Sequence, residues 1–181
     1  MKPILSAALL FLTASLCAAP IDRATLLSVL DIAREEGVPR SVAYQQQIEE
    51  SGDWRTGAWG CATAIGKEKK LAPDEPSFPS KGLFQLHTRP QNLDHLVKTY
   101  WIDRGETETF DITNPIHNAT VALRYVASLH RQLGTWYRAA CAYNAGPENV
   151  KSGAVNREAR FARTRAYAMR IVSRKEPELW N

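Results

Sequence analysis

Apolar residues recur at three- and four-residue spacing along most of this chain, and no two segments alternate polar and apolar in the manner of paired strands. That pattern restricts the fold to helices packed on one another. Residues 21–36 place Leu26, Leu27, Val29, Leu30 and Ala33 at helical spacing and stop at Gly37. Pro39 opens a second segment that runs through Glu50 and ends at Ser51-Gly52. Residues 92–103 hold Leu93, Leu96, Val97, Tyr100 and Trp101 on one side. Asn114-Pro115 pairs a capping amide with proline at the first helical position. The helix it opens buries Ile116, Leu123, Val126 and Leu133 and stops at Gly134. Thr135 caps the next helix, which ends at Asn144-Ala145-Gly146-Pro147, and a last helix is predicted over 156–173. Residues 66–81 carry Lys67, Lys69, Lys70, Pro73, Pro76 and Pro79 and read as an exposed loop. That loop is longer than a plain connector needs to be.

The predicted class is mainly α, in a single domain. A chain of 181 residues, 44% apolar and 23% charged, has the composition of a globular protein. It excludes a disordered tail, a collagen-like rod and a multi-span membrane protein. No self-similarity at a period of roughly 20–50 residues points to a repeat architecture. The net charge of +4 gives a mild preference for anionic partners and says nothing about fold.

Residues 1–19 read as a signal peptide, with residues 20–181 as the mature domain. Lys2 precedes an apolar run from Ile4 to Leu16, and small residues follow to Ala19. The run is shorter than the roughly 20 residues that span a bilayer. A lipid anchor on Cys17 is disfavoured because Leu16, not a small residue, precedes it. Removal of this segment leaves Cys61 and Cys141, an even pair in an oxidising compartment, and a disulfide between them is expected. It would close a loop of about 80 residues, worth about 4 kcal/mol in the chain-entropy treatment.

Four short clusters can carry chemistry. Gln46, Gln47 and Glu50 are one turn apart at a helix end and share a face, with Ser51 following. Gly82-Leu83-Phe84-Gln85 sets one glutamine among apolar residues after a glycine. Ala142-Tyr143-Asn144-Ala145-Gly146 puts an aromatic and an amide at a helix C-terminus, and Thr164-Arg165-Ala166-Tyr167 lies in the last helix. Taken singly, each has a plain structural reading: an exposed acidic helix end, a tight turn, a helix stop, a core tyrosine. His87, His95, His117 and His130 lack metal-ligand spacing, so no metal is expected. The basic C-terminal run from Arg157 to Lys175 reads as a solvated helix face, and nucleic acid is not an expected partner. Asn118-Ala119-Thr120 matches a glycosylation sequon inside a predicted helix and is taken as incidental. Trp59, Trp101, Trp136 and Trp180 are candidates for stacking on sugars, with Trp101 and Trp136 placed in the core.

In this order, the four clusters resemble the soluble lytic transglycosylases, peptidoglycan-cleaving enzymes with a goose-lysozyme-like fold. The family signature is Glu-Ser at a helix end, Gly-Leu-Met/Phe-Gln, Ala-Tyr-Asn-Ala-Gly and a C-terminal Thr-Arg-x-Tyr. The resemblance covers about residues 25–175. The chain departs from it at Asp53, where the family carries an aromatic, although Trp54 follows. It also departs in the interval from Glu50 to Gly82, which is longer by about fifteen residues.

The resemblance implies cleavage of the β-1,4 bond between N-acetylmuramic acid and N-acetylglucosamine, with a 1,6-anhydro product and no cofactor. It implies Glu50 as general acid and base, oriented by Tyr167. Ser51, Gln85, Tyr143 and Asn144 are the implied contacts to the glycan. No second carboxylate belongs to a recognised motif, which suits a reaction in which the substrate's own N-acetyl and C6 hydroxyl groups take part. A periplasmic monomer acting on glycan strands, beside a secretion, conjugation or pilus machine, is the implied setting. The rival readings are a hydrolytic lysozyme on the same fold and a peptidoglycan-binding assembly factor that does not cut.

Overall fold

Helix boundaries follow local capping chemistry. The computed structural model describes residues 19–53, 58–66 and 78–174. The expected signal segment up to residue 18, most of the expected loop (67–77), Trp54, Lys175 and Trp180 lie outside the described residues. Helix α1 spans Arg23–Glu35 and is capped by Asp22, whose side chain accepts from the Thr25 N–H. Helix α2 spans Arg40–Ser51, and α3 spans Pro90–Tyr100. Helix α4, Pro115–Leu133, opens on Asn114, whose side chain accepts from the N–H groups of Ile116 and His117, and closes at Gly134 with φ 82°. Helix α5, Trp136–Ala145, is capped by Thr135. The short helices α6, Pro147–Lys151, and α7, Ala154–Arg157, precede α8, Ala162–Ser173.

The fold is mainly α and lysozyme-like. Helix α5 packs on α4 and on α8; α8 also packs on α2, and α1 packs on α4 and α2. Leu26, Leu30, Ile48, Phe84, Leu123, Leu129 and Ile171 form the fully buried centre. Burial of each such side chain stabilises by about 1.5–3 kcal/mol relative to exposure. No described helix is long and apolar enough to cross a membrane.

Three features depart from the sequence reading. The first is a small antiparallel pair, β1 (Ser80–Lys81) and β2 (Leu86–His87), with Ser80 opposite His87 and Lys81 opposite Leu86. Two-residue strands leave no alternation to read. Their support is Asn118 on α4, fully buried, whose Nδ2 donates to Lys81 O (3.2 Å) and Ile112 O (3.1 Å). The Asn118 Oδ1 accepts from the Phe84 N–H at 2.8 Å. A Cβ on Gly82, φ 82°, would stand 2.1 Å from the Asn118 Nδ2, so the motif glycine makes room for this amide.

The second departure is the break in the expected helix over 156–173. Glu158 is extended, and residues 159–161 form a 3₁₀ turn before α8 begins. The Arg165 side chain donates to Val155 O (2.6 Å) and Glu158 O (3.1 Å), which satisfies carbonyls at the break. The third is the disulfide. Cys141 is a free, buried thiol, and Cys61 is disulfide-bonded but not to Cys141. Cys61 is tied to the end of α2, its N–H donating to Ser51 Oγ at 3.0 Å, whereas Cys141 faces Tyr137 and Arg165 between α5 and α8. Counting cysteines carries no distance, and a bridge needs Cα atoms within about 7 Å.

Candidate active site

A cleft of about 680 Å³ opens between α2, the β2–α3 lip and the α4–α5 side. Glu50, on the last turn of α2, stands in its wall beside Gln85, Tyr125, Tyr143 and Asn144. Among the described residues that line the cleft, Glu50 is the only carboxylate. Asp53 lies outside it, its N–H bonded to Ala58 O.

The environment of Glu50 holds its proton. Burial pushes its carboxyl up to about 7; the hydrogen bond from Tyr167 works against that rise, and the charge of neighbouring Glu49 adds to it. The Tyr167 hydroxyl, reaching across from α8, donates to Glu50 Oε1. Burial and the charge of Glu50 in turn raise Tyr167 and Tyr143 well above the ordinary phenol range, so both stay hydroxyl donors. Half-protonation near neutral pH is the condition for a group that must give and then take a proton.

The predicted substrate contacts separate into two sets. Tyr143 and Asn144 line the cleft. The Tyr143 hydroxyl donates to Phe84 O at 2.7 Å, which fixes the ring and leaves its oxygen able to act only as an acceptor toward a ligand. The Asn144 Oδ1 accepts from Thr164 Oγ1 at 2.8 Å. That bond fixes the amide orientation and leaves its NH₂ as the donor end; it is also what the threonine of the Thr-Arg-x-Tyr cluster does. Gln85 lines the cleft too, with an unusual φ of 51°. Its Nε2 donates to Gly82 O (2.8 Å) and Ala64 O (3.1 Å), so both amide hydrogens are committed to the fold.

Ser51 is not in the wall. It is buried, its hydroxyl donating to Leu83 O (2.7 Å) and accepting from the Cys61 N–H (3.0 Å). It ties the end of α2 to the turn that carries Gln85. Tyr167 is likewise buried, and its hydroxyl is bonded to Glu50. Gln46 and Gln47 share the Glu50 side of α2 but lie wholly in the interior. Gln47 Oε1 accepts from the Gly60 N–H.

The sequence reading weighs the cleft's histidines only as metal ligands. His87 and His95 line it from β2 and α3. His87 Nδ1 accepts from the Arg89 N–H at 3.1 Å, which places the proton of the neutral ring on Nε2. Burial and the Arg89 charge both pull its pKa down.

Comparison with known proteins follows the same lines. The family model described as Transglycosylase SLT domain matches residues 36–165. No curated protein sequence matches the chain. Among solved structures, an inactive mutant of the lytic transglycosylase Slt from Pseudomonas aeruginosa is similar at 20% identity and a TM-score of 0.55, over 83% of this chain and 22% of that one. The 70 kDa soluble lytic transglycosylase from Escherichia coli is similar at 22% identity and a TM-score of 0.53, over 78% of this chain and 22% of that one. The chain therefore corresponds to about a fifth of each of those proteins.

Proposed function

The chain belongs to the transglycosylase SLT family, and from that premise we propose that it is an exported peptidoglycan lytic transglycosylase. It cleaves the β-1,4 bond between N-acetylmuramic acid and N-acetylglucosamine. Glu50, protonated, gives its proton to the glycosidic oxygen as the C1–O bond breaks. The muramyl N-acetyl group assists departure at C1. The resulting Glu50 carboxylate then removes the proton of the same sugar's C6 hydroxyl, whose oxygen closes on C1 to form the 1,6-anhydro ring. The acid form is regenerated, and no water or cofactor enters. Proton transfer of this kind contributes typically 10²–10⁴-fold, and the intramolecular second step benefits from a high effective concentration.

The observation that carries this reading is a cleft carboxyl with a pKa of about 7, oriented by a buried phenol. Glycosidases that hydrolyse their substrate generally use two carboxylates across the bond, and Glu50 has no such partner among the described lining residues. Tyr143 and Asn144 serve as the glycan contacts, and Gln85 shapes the wall. A periplasmic location and work as a monomer beside a secretion, conjugation or pilus machine complete the proposal.

The isosteric variant Glu50→Gln tests it on purified sacculi. Release of soluble fragments should fall by at least about 10²-fold, while binding to the glycan is retained. Activity within tenfold of the wild type would show that the acid lies elsewhere. Wall binding by the wild type without any cutting would favour the assembly-factor reading.

A further inference from the structure

A second carboxylate stands next to the reactive one and is turned away from the cleft. Consecutive helical residues point about 100° apart, so Glu50 faces the cleft while Glu49 faces α8. The Glu49 side chain is only 2% exposed. Its Oε1 accepts from Arg170 Nε at 2.8 Å and from Gln45 Nε2 at 3.3 Å. Arg170 follows Tyr167 by one turn of α8. Helices α2 and α8 are thus joined by two adjacent polar contacts, Tyr167 on Glu50 and Arg170 on Glu49. Ile48 on α2 and Ala168 and Ile171 on α8 are buried apolar residues of the same two helices. Glu49 is buried but a third of the Arg170 side chain is exposed, and an ion pair open to solvent on one side contributes little to stability. Packing alone therefore gives no reason for it here.

We propose that Glu49 and Arg170 form a positioning pair for the reactive carboxyl. Their bond sets the register of α2 on α8 that lands the Tyr167 phenol on Glu50, and the guanidinium balances a buried negative charge one residue from Glu50. This rests on Glu50 being the acid of the proposed reaction. The groups that act on Glu50 are Glu49 on its own helix, Tyr143 on α5 and Tyr167 on α8; Arg170 on α8 acts on Glu49 and Tyr167, and His87 and His95 line the same cleft. Glu49 acts on Glu50 by repulsion, which disfavours its ionisation, and Arg170 opposes that repulsion.

The test is a carbon-13 NMR titration of the Glu50 carboxyl, assigned by its loss in Glu50→Gln, alongside the pH–rate profile on sacculi. Arg170→Gln leaves Glu49 unbalanced and should move the Glu50 midpoint up by about one unit. Glu49→Gln removes the like charge beside Glu50 and should move it down by a similar amount. The double variant should return it close to the wild-type position. Both single variants should lose at least about tenfold in kcat with little change in KM, as expected when a group acts on the transition state. Arg170→Lys should restore the midpoint but only part of kcat, since an ammonium cannot reproduce the planar fork. Loss of folding would show as a lowered Tm and would not produce opposite shifts that cancel. Midpoints that stay in place in both single variants, or move the same way, would overturn the proposal. If the wild type does not cut sacculi at all, the functional reading fails, and the titration still decides whether the pair controls Glu50.

Discussion

Glu50 holds a proton at a pH where a free glutamic acid has lost it, and folding is responsible. The consequence for stability has a definite sign. Between about 4.5 and 7 the native chain binds a proton that the unfolded chain gives up, so stability falls as pH rises through that window and levels off above it. A rise from 4.5 to about 7 corresponds to at most about 3 kcal/mol. Glu50→Gln removes this titration. The variant should therefore melt above the wild type at pH 8, with the difference closing toward pH 4. Thermal melts of both proteins across that range check it, and a difference independent of pH would contradict the burial of Glu50 as its cause. At this scale the sequence was informative about which residues matter and less so about what they do. Glu50, Tyr143 and Asn144 stand at the cleft as their motifs implied, whereas Ser51 and the Gln85 amide hydrogens are spent inside the fold. A one-dimensional motif marks a constrained position and does not distinguish a ligand contact from a strut.

Elements show where that legibility stops. The Asn114-Pro115 start, the Gly134 stop and the Thr135 cap were readable because each is decided within four residues of chain. Asn118 was not, since its partners at Lys81 and Phe84 lie 37 and 34 residues away. It looked like an incidental sequon, and it is the peg on which the β1–β2 turn and its Gln85 hang. Asn118→Leu keeps the side-chain volume and strips three hydrogen bonds, leaving Lys81 O, Ile112 O and the Phe84 N–H without this partner. It should destabilise the protein by about 2–4 kcal/mol in denaturant melts, and the remaining folded fraction should cut sacculi poorly. A loss under about 0.5 kcal/mol would mean the turn stands without the peg. The disulfide expectation failed for the same long-range reason: parity pairs cysteines on paper, while α5 and the end of α2 hold Cys141 and Cys61 among different neighbours.

For the molecule as a whole, the helical frame serves to bring four distant segments to one carboxyl: α2 carries it, α8 orients it, and the β1–β2 turn and α5 wall the space in front of it. The pattern of apolar spacing announced that frame, and the order of the clusters announced its family; the proposed chemistry rests on Glu50 being the only carboxylate among the described residues that line the cleft. That is the central claim, and the end groups of the products test it most directly. Mass spectrometry of fragments released from purified sacculi by the wild-type protein should find muramyl ends lighter by one water than reducing ends, the mark of the 1,6-anhydro ring. Reducing ends as the main product would mean that water attacks C1, and would contradict a reaction run by Glu50 alone.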